Sequence, residues 1–80
     1  MSEIASKVIE VIAERLSKEA DGITEASNII ADLGADSLDI AEIMMDLEDA
    51  FGVKVEEDTE GLNTIGDIVK YIEGKVAENA

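Results

Sequence analysis

Eighty residues without cysteine, histidine or proline make one small domain, residues 1–80, that has neither a disulfide nor a Cys/His zinc staple. The same absences exclude a Ser-His-Asp or Cys-His nucleophilic system, so the chain is not expected to be an enzyme. A net charge of −14, from 20 acids against 6 bases, argues against nucleic acid and anionic membrane as partners and favours proteins with basic surfaces.

The opening MSEIASKVIEVIAERL is broken by Lys7, Glu10 and Glu14, so it reads neither as a signal peptide nor as a membrane span, and a cytoplasmic setting is expected. Ile4, Val8, Val11, Ile12 and Leu16 fall on one helical face with charges between them, which predicts a first helix from about residue 3 to 17. A polar stretch follows, broken at Gly22, with Ile23 as an anchor into the core, and Ile29, Ile30 and Leu33 lead on into DLGADSLD. The clearest helix is SLDIAEIMMDLEDAF, with Gly52 placed to cap its end in the left-handed conformation. VKVEEDTEGL then allows a turn or two of helix. Thr64 with Asp67 makes a capping-box pattern before a last helix striped by Ile65, Ile68, Val69, Ile72 and Val76, although Gly66 weakens it by about 1 kcal/mol relative to Ala. No strand-like alternation of useful length occurs. The expected fold is all-α: a small four-helix bundle of three main helices and one short third helix.

Ser37 stands among acids at the mouth of the second helix. It could itself be the N-cap, since Ser, Asp and Asn are all favoured there. The spacing prefers Asp36, because Asp39 then falls at N3 and can return a hydrogen bond, whereas a Ser37 cap would put Ile40 at N3. Ser37 then becomes the first helical residue with a free, outward hydroxyl beside unpaired amides and the positive end of the helix dipole, a favourable place for a phosphodiester. An EF-hand loop starting at Asp32 would need Gly at position 37 and Glu at position 43; Ser37 and Ile43 stand there instead, so no metal is expected.

On a wheel of the second helix, Ile40, Ile43, Met44, Leu47 and Phe51 gather on one side as core. Asp39, Glu42, Asp46 and Asp49 gather on the other, and no Lys or Arg lies between 37 and 51 to relieve them. Like charges so spaced cost roughly 0.2–0.5 kcal/mol per pair. Eleven acids and a single base, Lys54, lie between residues 32 and 60, so ten of the fourteen net charges are concentrated around one serine. Such a stripe is either a solubilising face or a docking surface for basic partners, and its concentration favours docking. Leu38 and Met45 border it like the apolar centre of a transient interface.

LGADSLD followed by the EIMMDLEDAF helix resembles acyl carrier proteins, particularly the discrete type of bacterial fatty acid synthesis, and the resemblance runs over nearly the whole chain. It implies that Ser37 receives 4′-phosphopantetheine from coenzyme A through a magnesium-dependent phosphopantetheinyl transferase. It also implies that the arm's thiol holds growing fatty acyl chains as thioesters, and that the chain delivers them as a monomer to synthesis enzymes with basic docking patches. The recognition surface it implies is Asp36, Leu38, Asp39, Glu42, Met45, Asp46, Glu48 and Asp49. The acyl pocket would draw on Ile43, Met44, Leu47, Leu62, Ile65 and Ile68, which form the core in any case. Family members often carry a Phe shortly before DLG and a Pro at the start of the third helix, where this chain has Ile29-Ile30 and Val55-Glu56. Two alternatives stand beside this reading: a carrier for polyketide assembly or D-alanine transfer, and an acidic protein-interaction module without cargo.

Overall fold

The computed structural model describes residues 3–55 and 61–79, which form three α-helices and one 3-10 turn: α1, Glu3–Leu16; the turn, Ala20–Gly22; α2, Ser37–Phe51; and α3, Ile65–Asn79. The all-α expectation holds. The short third helix expected after Val53 falls largely on residues 56–60, which lie outside the described residues; the short helical element that is described is the 3-10 turn ahead of α2.

One aliphatic core joins the helices: Val8 and Ile12 from α1, Ile43 and Leu47 from α2, and Ile65, Ile68 and Ile72 from α3 are all sealed from solvent. Close backbone approach links α1 to α2 and α1 to α3, with no comparable approach of α2 to α3. Two neighbours widen the buried face of α1. Ala5, Ile9 and Ala13 are therefore buried beside Val8 and Ile12, while Ile4, Val11 and Leu16, expected on the core face, are only half-buried at its edges.

The long connection from α1 to α2 is built on buried anchors. Ile23, Ile29, Leu33 and Ala35 all reach the core, whereas Ile30 turns outward and is 56% exposed. Asn28 caps the turn that follows it, its side-chain oxygen accepting from the amides of Ile30 and Ala31 at 2.9 and 2.8 Å, and Asp32 accepts from the amide of Asn28 at 2.7 Å. The loop is then stitched to the start of α3. Ile29 N donates to Asn63 O at 2.9 Å, Ile65 N to Ser27 O at 2.9 Å and Gly66 N to Glu25 O at 2.8 Å. These bonds include an isolated antiparallel bridge between Asn28 and Thr64, the one strand-like pairing among the described residues.

Both long helices that start near this seam are capped as the spacing predicts. Asp67 N donates to the Thr64 hydroxyl at 3.2 Å, and Thr64 N and Asn63 N both donate to the Asp67 carboxylate at 3.1 Å. These backbone donors from Thr64 and Asn63 hold the Asp67 carboxyl below its ordinary value. Gly52 ends α2 at φ 65°, its amide and that of Val53 both donating to Glu48 O.

Gly66, a weak helix former, is explained by the seam, since a Cβ built there would stand 3.1 Å from Glu25 O, which is already bonded to the Gly66 amide. Helix propensity alone favours Ala by about 1 kcal/mol. Crowding of the pinned carbonyl wins, so Gly66→Ala is expected to destabilise by roughly 1–2 kcal/mol in chemical denaturation. Asp67 gives a pH signature of defined sign. Its folded pKa is depressed, so its contribution is present above the ordinary value of 3.8 and is lost as pH falls through and below it. The Tm difference between the parent and Asp67→Ala should therefore be widest above pH ~5 and should narrow as pH drops below that value.

Candidate functional site

Ser37 is the first residue of α2, and the residues before it hold it in place from both sides of the backbone. Leu33 and Ala35 are buried, Gly34 turns between them at φ 72°, and Asp36 adopts the extended conformation of an N-cap. Asp39 N donates to the Asp36 carboxylate at 2.9 Å and Asp36 N donates back to the Asp39 carboxylate at 3.1 Å. The reciprocal pair is a complete capping box. Asp36 thus satisfies the N3 amide, and Ser37 is left exposed with no hydrogen-bond partner for its hydroxyl among the described residues. The amides of the first turn that the box does not use, and the positive end of the helix dipole, lie beside that hydroxyl.

The outer face of α2 is organised differently from a plain acidic stripe. Leu38 and Met45, at 66% and 63% exposure, are its most prominent apolar groups, and the wheel places Asp49 with them opposite the core. Glu42 and Asp46 lie on the flank toward α1 and are not left to repel each other. Arg15, in the last turn of α1, donates through Nε to one Asp46 oxygen at 2.7 Å and through one terminal nitrogen to the other at 2.9 Å; its second terminal nitrogen reaches Glu42 at 3.2 Å. The hydrogen bond from the Arg15 guanidinium, aided by its charge, holds the Asp46 carboxyl below the usual aspartate value against the opposing effect of burial, and Asp46 raises Arg15 in return. The expectation that no cation relieves the acids of α2 holds within the helix but is corrected by its neighbour.

The family described as the phosphopantetheine attachment site matches residues 6–72. An acyl carrier protein of Thermotoga maritima is 51% identical over 75 residues, spanning 92% of this chain and 93% of that one. The chain belongs to the acyl carrier protein family. An acyl carrier protein from Enterococcus faecalis, 38% identical, superposes over 91% of this chain and 94% of its own with a TM-score of 0.73. The apo doublet acyl carrier protein from prodigiosin biosynthesis, 25% identical, superposes over 90% of this chain with a TM-score of 0.79, the match spanning 35% of the doublet.

In this acyl carrier protein, Asp36, Ser37, Leu38, Met45 and Asp49 are exposed and Asp39, Glu42, Asp46 and Glu48 are half-buried, with Asp39 engaged in the cap. Ile43, Met44, Leu47, Ile65 and Ile68 meet in the single core, and Leu62 packs half-buried at its edge. Two features escaped the sequence reading: the outward turn of Ile30, and Arg15, whose signal was its position three and four residues beyond Ile12 and Val11 at the margin of the buried face of α1. Among the described residues, no helix is long and apolar enough to cross a membrane.

The division of labour between Asp36 and Ser37 is measurable as stability. Asp36→Ala should cost about 1 kcal/mol in chemical denaturation through loss of the cap. Ser37→Ala should change stability by no more than ~0.5 kcal/mol, as for a surface group with no partner.

Proposed function

We propose that Ser37 is the residue that receives 4′-phosphopantetheine from coenzyme A, and that the modified chain carries growing fatty acyl chains as thioesters to the enzymes that extend and use them. The observation that carries the reading is the free Ser37 hydroxyl at the first turn of α2, inside LGADSLD and within the stretch that matches the attachment-site family. The residues suit the group. Ser37 Oγ is exposed to an incoming transferase, and first-turn amides stand beside it as donors for a phosphodiester. When attached, the arm supplies a terminal thiol, a group that a chain without cysteine does not have.

The chain's own residues do the rest. Asp36 and Asp39 fix the direction of the first turn, so the point of attachment is rigid while whatever is attached to it is free to swing. The exposed face of α2 offers apolar contact through Leu38 and Met45 inside an acidic surround of Asp36, Asp39, Glu48 and Asp49, with Glu42 and Asp46 on the flank that Arg15 holds. That combination suits basic-patched partners, the transferase and the fatty acid synthesis enzymes, which must bind quickly and let go. Ile43, Met44, Leu47, Leu62, Ile65 and Ile68, where α2 and α3 lack close backbone approach, are the side chains best placed to give way to an acyl chain. On this reading the whole chain is one carrier domain, monomeric and cytoplasmic, and is acted on by enzymes rather than being one.

Intact mass before and after incubation with coenzyme A, magnesium and a phosphopantetheinyl transferase tests the proposal. The parent is expected to gain one phosphopantetheine and Ser37→Ala none. No gain on the parent, with a transferase shown to be active on another carrier, would refute Ser37 as the attachment point.

A further inference from the structure

Arg15 carries the ion pairs that the described residues make to the carboxylates of α2. A guanidinium with two donors on Asp46 and a third on Glu42 has the fork geometry with which Arg recognises carboxylates, and a partner enzyme's arginine would seek the same oxygens. We infer that Arg15 is a specificity-determining residue of the docking face, an internal occupant of Glu42 and Asp46 that leaves Leu38, Met45 and Asp49 as the surface an incoming basic partner meets. The inference rests on the reading of α2 as the docking helix given above.

Three observations carry it. The pair is open to solvent, with side-chain exposures of 39% for Arg15, 40% for Glu42 and 32% for Asp46, so a competing cation can reach the carboxylates without the core opening. Arg15 also stands over a surface cleft of about 370 Å³ between α1 and α2, lined with Val11, Glu14 and Asp46, which leaves the side chain room to swing away. Finally, exposed ion pairs are individually weak, so the occupant is exchangeable rather than locked. A partner that reads Glu42 or Asp46 must displace Arg15 first. A partner that reads Leu38, Met45 and Asp49 need not, and Arg15 therefore sorts partners by where their basic residues lie.

The test is the affinity of the unmodified chain for a phosphopantetheinyl transferase without coenzyme A, at low and at high ionic strength. The parent is compared with Arg15→Gln, Arg15→Lys and Asp49→Asn. Removing the internal cation exposes two carboxylates, so Arg15→Gln should bind on the order of 3–10-fold more tightly at low ionic strength and lose that gain at high ionic strength. Arg15→Lys keeps the charge and should stay near the parent; Asp49→Asn should bind more weakly. Arg15→Met, which keeps an unbranched stem on the cleft wall beside Val11, serves in place of Arg15→Gln if circular dichroism shows that variant misfolded. A merely structural Arg15 would give unchanged or weaker binding without the salt-dependent gain. That result, with Asp49→Asn still weaker than the parent, would overturn the inference alone. No binding by any variant, or binding indifferent to Asp49→Asn, would overturn the docking reading and the inference with it.

Discussion

The backbone seam between residues 25–29 and the start of α3 is the constraint on which the placement of Ser37 depends. A long connection with no helix of its own beyond one 3-10 turn would ordinarily wander, because its amides and carbonyls have no regular ladder to join. Here three amides cross between the loop and the first turn of α3, and Ile29, sealed in the core, holds the loop down between them. The chain thus enters the DLGADSLD segment from a fixed point. Leu33 and Ala35 fasten its next few residues, and the Asp36–Asp39 box sets the angle at which α2 leaves. Gly66 belongs to the same constraint, since a Cβ there would crowd the loop carbonyl of Glu25 at 3.1 Å and force it to shift.

With its start fixed, α2 divides its circumference among three tasks. Its core face buries Ile43, Met44 and Leu47 with Ile40 and Phe51 half-buried at the edges, the opposite face presents Leu38 and Met45, and the flank toward α1 holds Glu42 and Asp46 under Arg15. The division explains why the helix tolerates so much negative charge. Asp39 lies in the first turn, where the dipole favours a carboxylate and the capping box uses it. Asp46 and Glu42 share a cation, whereas Glu48 and Asp49, toward the helix's negative end, have neither form of relief among the described residues.

What could be read in the sequence was what is decided within a few residues. The cap at Asp36 followed from which candidate had an acid three positions on, the Thr64–Asp67 box and the Gly52 stop from the same kind of short spacing, and the anchoring of Ile23 from a lone aliphatic in a polar stretch. Arg15 and the seam could not be read that way. Arg15 meets Asp46 across 31 residues of chain, and the bonds from 25–29 to 63–66 join segments far apart in sequence that carry no pattern of their own. The first helix shows the same limit. The single stripe from Ile4 to Leu16 leaves Ile9 out because it assumes one neighbour, and α1 has two. Ile30 and Ile29 differ by one position and no chemistry, and only the turn capped by Asn28 decides which goes inside.

On the proposed docking role, the electrostatics of the outer face suit a carrier that must change partners quickly. Ten of the fourteen net charges lie between residues 32 and 60, a field that draws basic surfaces from beyond contact distance and weakens within a Debye length of ~8–10 Å as salt rises. Attraction of that kind speeds encounter without locking the complex, because each exposed pair adds little once formed. An entirely unpaired stripe would push that field to its limit and would leave α2 repelling itself. A single arginine from the neighbouring helix lowers the repulsion on one flank while the apolar centre stays open. The fold therefore keeps its strong, directional interactions, the capping boxes and the loop seam, for holding Ser37 still, and its weak, screened ones for the face proposed as the docking surface.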